Sequence, residues 1–293
     1  MSDLPRISAS AGSGRGDHVG AVHAHSGASL TTGVRSLKAS ATLWFIVAVT
    51  GQWLFVAYLL VYYGARLAGG GLAALSETSL RGGYVPGDAV GNVAVASHVL
   101  LAILIHGGGP LQLVPAIRKR APVFHHWTGR LFLVAVVLNA ISGLYMNWVR
   151  RISGGALDVA SNTVIALFVF TFAAQALRHA MAREIGAHRR WALRLFLVAS
   201  AVWFVRVGVY GSVFLADQFG IDFGTISSQV FAVMNVAKLL VPLGLLELYF
   251  WAQRRAGPIG RIVVASVLVT ATAVMGLGIY AVTTLRWLPR MLG

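Results

Sequence analysis

Cysteine is absent from this 293-residue chain. Disulfides, zinc–thiolate centres, iron–sulfur clusters and cysteine nucleophiles are excluded with it, and the redox compartment cannot be read. Charge is scarce too. Only 11% of residues are charged, and 9 Asp and Glu face 24 Lys and Arg, for a formal net charge of +15. A soluble domain carries about 25% charged residues and about 45–50% apolar ones. Here 57% are hydrophobic and the mean hydropathy is +0.74. That composition excludes an ordinary soluble globule, and it excludes disorder over most of the length.

Missing motifs narrow the chemistry further. Glu247 is the one acid well inside an apolar run, so the sequence holds no relay of carboxylates for proton pumping. A retinal Schiff base needs a lysine and an acidic counterion, and the last apolar run has neither. The chain has no Gly-x-x-x-x-Gly-Lys loop and no His-Glu-x-x-His. Gly107 to Gly109 lack the flanking strand of a phosphate loop, and a serine triad lacks a placed acid.

What the chain does have is seven long apolar runs. A helix rises about 1.5 Å per residue, so about 20 apolar residues cross a hydrocarbon core about 30 Å thick. Residues 42–63, 90–113, 128–149, 157–178, 190–214, 228–251 and 261–285 reach that length. The expected fold class is all-α: a polytopic membrane protein of seven transmembrane helices over residues 42–287. Residues 1–41 are rich in Ser, Gly and Ala and lack apolar periodicity, which predicts a disordered tail. That tail is too long for a cleavable signal peptide. Its His18, His23 and His25 are weak metal-binding material at most. Gly107 to Gly109 and Pro110 predict a kink or early end in the second run, and Pro242 a kink in the sixth.

Orientation follows from Lys and Arg, which cytoplasmic loops retain. With the amino terminus inside, Arg118 to Arg120, Arg189, Arg190, Arg254 and Arg255 lie on the inner side. Arg66, Arg81, Arg150 and Arg151 lie outside, and residues 215–227 carry no positive charge. The expectation is a multi-pass protein of the cytoplasmic membrane, amino terminus in and carboxyl terminus out. The positive charge then serves topology and attraction to anionic lipid heads, and nucleic acid is not needed as a partner.

An internal repeat is visible. Trp127-Thr-Gly-Arg130-Leu-Phe-Leu-Val-Ala135 matches Trp191-Ala-Leu-Arg194-Leu-Phe-Leu-Val-Ala199 at seven of nine positions, 64 residues apart. The second and third runs thus read as a hairpin, and the fourth and fifth as its parallel copy, together a duplicated four-helix core.

Histidine is costly inside a membrane unless it has a partner. His98 and His106 fall in the second run, about 12 Å apart in depth and about 80° apart around the axis, so they cannot share one compact site. His125, His126, His179 and His188 gather at the inner boundary. Two imidazoles on facing helices could clamp a haem b iron or a transition-metal ion, with His106, His125 and His188 as candidate metal ligands. Arg130, Arg194 or Arg206 could pair with haem propionates. The alternative makes the boundary histidines, Trp127 and Trp191 interfacial anchors, and gives Arg130 and Arg194 to lipid phosphates.

Lys238 lies about 15 Å into the sixth run, where a charge costs at least about 2.5–3.5 kcal/mol. Asn139, Asn162 or Gln175 could hold it, or an anionic ligand could. Lys238 and Gln112 are therefore candidate substrate-binding groups. Arg206 either snorkels outward or meets a partner inside the bundle.

The polar spacing carries a resemblance. His98, then Gly109-Pro110-Leu111-Gln112, then Pro122-Val-Phe-His125-His126-Trp127-Thr-Gly129-Arg130, is similar to a bacterial family of predicted membrane proteins catalogued as domain of unknown function 2306. A second block, His188-Arg189-Arg190-Trp191 with Arg194 and a later Arg206, also fits. The likeness covers about residues 92–210, leaving 228–285 as two additional helices. His126 stands where the family usually has Arg. The resemblance implies a membrane-embedded four-helix unit and points to His98, Gln112, His125, Arg130, His188, Trp191, Arg194 and Arg206, but it supplies no activity. The leading functional expectation is a His-lined bundle binding haem or a metal for electron transfer or cofactor handling. The alternatives are a transporter or channel subunit for a small anion or lipid, and a scaffold. Expected partners are the lipid bilayer and a redox or assembly partner within it.

Overall fold

The computed structural model describes residues 16–78, 80 and 82–292, with side chains from Thr31 onward. Among the described residues the chain is helical and carries no strand. Helix α1 is Gly16–Tyr58, followed by a π-helical turn at Leu59–Gly64, α2 at Ala65–Gly70 and a 3-10 stretch at Gly71–Glu77. Then come α3 (Ala89–Leu113), α4 (Pro115–Arg120), α5 (Pro122–Trp148) and α6 (Ala156–Met181). Helices α7 (Ile185–Ala199), α8 (Ala201–Gln218), α9 (Phe223–Arg255), α10 (Pro258–Val282) and α11 (Leu288–Leu292) complete the order.

Among the described residues, six helical stretches are long and apolar enough to cross a membrane: Thr31–Glu77, α3, α5, α6, α9 and Pro258–Leu292. Helices α7 and α8 make a seventh if they count as one span bent by 50°. The outward face suits lipid. Val90, Leu240, Ile259 and Val274 are each more than 60% exposed. Such an apolar exterior would be an aggregation hazard in water.

Local chemistry sets the ends. Asp88 caps α3 by accepting from Gly91 N at 2.8 Å, and Asp222 caps α9 from Gly224 N at 3.0 Å. Proline opens α4, α5 and α10, where a missing N–H costs nothing.

Within the tail expected over residues 1–41, helix α1 is described from Gly16; residues 1–15, and the side chains of His18, His23 and His25, lie outside what is described. From Gly33 the helix packs on the start of α10, and Leu37 is buried against Ala252, Val264 and Leu268. A single leucine on a small-residue face gives too weak a periodicity to be seen in composition.

The helix break is displaced. Pro110 lies inside α3, which continues to Leu113. It sits in the last turn, so only the His106 carbonyl loses its helical donor. The neighbouring glycines serve packing: a Cβ on Gly109 would stand 2.9 Å from the Phe132 ring. The break occurs at Ser200, between α7 and α8. Its Oγ donates to Phe196 O at 2.8 Å and accepts from Gln52 Nε2 at 3.0 Å. Serine offers its own backbone an alternative partner, and Gln52 of α1 fixes it there. Pro242 likewise lies within a continuous α9.

Helix α3 packs on α5, α6 on α7, and α1 on α10. Helices α8 and α10 cross where Gly211 meets Gly278, a close approach that only small residues permit.

Candidate functional site

A cavity of about 770 Å³ lies among α3, α5, α6, α9 and the α7–α8 break. It runs from the loop after α5, at Ser153 to Gly155, down to Ile105 and Val198. Val136, Ala140, Ile165, Val169 and Val202 make its walls apolar, while Asn139, Asn147, Asp158, Asn162 and Asn235 supply polar groups. Drug-sized ligand pockets are about 300–1,000 Å³ and have this mixture.

His98 is the histidine that lines it. Its Nδ1 lies 3.2 Å from Asn139 O and 3.0 Å from Ser142 Oγ. A carbonyl only accepts, and the Ser142 hydroxyl hydrogen already goes to Asn139 O at 2.9 Å. Nδ1 therefore carries the proton, and Nε2 of the neutral ring keeps a lone pair. Asn139 Nδ2 returns a bond to His98 O at 2.9 Å, tying α3 to α5. Gly143 makes room for the ring, since a Cβ there would stand 3.3 Å from His98 Cε1.

Lys238 is buried and bound to two residues of the cavity wall. Its Nζ donates to Asn162 Oδ1 at 2.9 Å and to Asn235 Oδ1 at 3.0 Å. Of the expected partners Asn162 is correct, Asn139 is spent on His98, and Gln175 makes no hydrogen bond to it. An ammonium has three donors, so one remains after the two amides.

The other candidates scatter. His106 is buried against Phe55 of α1, its ring centroid 5.3 Å away. Arg206 stands over the same Phe55 ring, 5.3 Å from its centre, and its charge reaches both His98 and His106. His125 and His126 lie at the start of α5, ring centroids 6.0 Å apart. His188 Nδ1 donates to Ala176 O at 2.8 Å, and His179 Nδ1 pairs with Glu184 Oε2 at 2.6 Å. Gln112 donates to Thr128 Oγ1, which fastens the α3–α5 turn. Arg130 stacks over Trp127 at 5.2 Å, and Arg194 over Trp191 at 4.7 Å while bonding Glu247 at 2.7 Å.

Among the described residues no group of three or more His, Asp or Glu could hold a metal ion. His106, His125 and His188 form no such group among the described residues. His106 turns toward α1, whereas His188 is bound to the α6 end. Sequence reasoning missed Asn147 and Asn235, whose signal was an amide inside an apolar run. It also missed the lock at the far end of α3, where Arg150 pairs with Asp88 at 3.1 Å and with Asn92 at 2.9 Å.

A model of the family described as predicted membrane protein (DUF2306) matches residues 95–249. This chain belongs to that family. The match includes the α3–α5 pair, the α6–α7 pair, the break and most of α9, so the DUF2306 region holds both His98 and Lys238. The narrower resemblance over residues 92–210 had left α9 outside. No curated protein and no solved structure matches the chain.

Proposed function

We propose that this protein binds, and moves across the bilayer, a small anionic or amphipathic solute held in the cavity between α3, α5, α6 and α9. The observation that carries this reading is Lys238, a buried cation fixed to Asn162 and Asn235 on the cavity wall, with one donor left over. A charge kept at that depth at a cost of about 2.5–3.5 kcal/mol favours a role with a ligand. The α7–α8 break borders the same cavity at Val198, Ala199 and Val202, and interrupted helices are where transporters place their sites. The charge bias of the loops supports the cytoplasmic membrane with the amino terminus inside, which puts the Ser153 to Gly155 mouth on the outer face.

One observation favours a second reading. Nδ1 of His98 is anchored by a backbone carbonyl, the arrangement that orients metal-ligating imidazoles, and Nε2 keeps its lone pair. A haem b with one axial histidine fits that donor; a clamp by two histidines does not, because His98 is the histidine on the cavity wall.

Native mass spectrometry and the absorption spectrum of the detergent-purified chain test both. The first reading expects a small-molecule adduct on the wild type, lost in Lys238→Met, with no Soret band. No adduct, or one retained undiminished in Lys238→Met, overturns it. A Soret band lost in His98→Ala would select the haem instead.

A further inference from the structure

Away from the cavity, a second polar neighbourhood surrounds Phe55 of α1. The His106 ring lies 5.3 Å from it, the Trp287 ring 5.4 Å, and the Arg206 guanidinium carbon 5.3 Å. Each of the three brings a buried polar atom with no hydrogen-bond partner: His106 Nδ1, Trp287 Nε1 and Arg206 Nε. One turn away, Thr283 Oγ1 and Gln52 Oε1 are in the same condition. His106, Trp287 and Gln52 are 4%, 0% and 1% exposed. Most buried polar atoms in proteins are paired, because each one left bare costs about 1–3 kcal/mol. Five together, from α1, α3, α8 and the π-helical turn Thr283–Trp287 that follows α10, need a common explanation.

The chemistry of the set indicates what is missing. Arg206 is always charged, and none of the described ion pairs includes it. The residue is partly buried, and its Nε is enclosed without an acceptor, so a donor of a charged group is left unmet. Trp287 Nε1 only donates, and Thr283 Oγ and His106 Nδ1 can donate. Gln52 Oε1 is the single obligate acceptor. The balance of donors and the positive charge both call for an anion. Close packing by Phe55, Tyr58 and Val207, all nearly fully buried, limits its size.

We propose that Arg206, His106, Trp287 and Thr283 form a buried site for one small monovalent anion, a halide or a formate-sized carboxylate, between α1, α3, α8 and α10. The site is separate from the cavity that holds His98 and Lys238, so Lys238→Met leaves it intact. Bound there, the anion neutralises Arg206 and ties α8 to α1 and α10, next to the helix break at Ser200.

The test uses the full chain in detergent, with sodium gluconate as the reference salt because gluconate is too large to enter. The thermal midpoint is followed as chloride, and separately formate, replaces gluconate at constant ionic strength. The expected result is a saturable rise of the wild-type midpoint and no rise in Arg206→Gln. Trp287→Phe keeps the aromatic stack and removes one donor, so its half-saturating concentration should increase about tenfold, the effect of one lost charge-assisted bond. Trp287→Phe also serves as the deciding variant if Arg206→Gln fails to fold. A wild type indifferent to both anions, or variants that respond as the wild type does, overturns the site. Buried water alone would give that indifferent result.

Discussion

His98 and Gly143 show how one residue's function depends on another's lack of a side chain. The imidazole sits between α3 and α5 only because α5 offers hydrogen where a Cβ would stand 3.3 Å from His98 Cε1. Gly143→Val should push the ring off Asn139 O and Ser142 Oγ, at a cost of about 1–3 kcal/mol for overpacking together with the lost bonds. A fall in thermal midpoint with loss of any cavity occupant would be the readout. An unchanged midpoint would mean that the ring has room elsewhere. Gly244, with nothing within 4 Å of its Cβ position, is the control whose substitution by Ala should leave the midpoint alone. His98 was legible in the sequence because a histidine interrupting an apolar run must find a partner. Its actual partners were not, because a backbone carbonyl on another helix leaves no mark on residue type. Lys238 was legible for the same reason, and Asn162 with it. Asn235 escaped because an asparagine three residues before a lysine reads as ordinary helix surface until the fold turns both inward.

At the level of the helix, crossings such as that of α8 and α10 hold the bent segment in place. A Cβ on Gly278 would fall 2.5 Å from Val207 O, a backbone atom that cannot give way alone. Gly276, two residues from that contact on the same helix, meets only Val47 Cγ1, at 3.9 Å. Gly278→Leu should therefore force α8 and α10 apart and lower the yield of monodisperse protein sharply, whereas Gly276→Leu should purify as the wild type does. Size-exclusion profiles of the two variants decide it; equal behaviour would show that the crossing carries little of the fold. Element positions were mostly written in hydropathy, since length and apolarity are what a membrane span requires. The position of the break was not. Gly107 to Pro110 carry the stronger helix-breaking signal, yet their place in the last turn of α3 made it harmless. Ser200 carries almost none by itself and breaks the helix because Gln52, distant in sequence, bonds to it.

The architecture of the whole molecule turns on whether α7 and α8 cross the bilayer together or dip in and return. Seven crossings put the two ends of the chain on opposite faces; a re-entrant pair puts them on the same face. The absence of native cysteine makes the question directly measurable, because a single introduced thiol has no background. Gly155, Gly186 and Gly257 lie in the turns before α6, at the start of α7 and before α10. A Cβ at Gly155 or Gly257 meets nothing within 4 Å, and one at Gly186 meets only Arg190 Nη1, at 3.8 Å, so cysteine fits at all three. The positive-inside bias predicts that a membrane-impermeant maleimide labels Gly155→Cys in intact cells, and Gly186→Cys only after permeabilisation. Gly257→Cys then decides the bent pair. Labelling like Gly186→Cys means that α7–α8 and α9 are both full crossings, seven in all. Labelling like Gly155→Cys means that the pair re-enters, and the Ser200 break becomes the tip of a loop within the membrane. The first pattern is expected, because the Arg194–Glu247 pair sets α7 against the C-terminal third of α9, whose last turn carries Arg254 and Arg255.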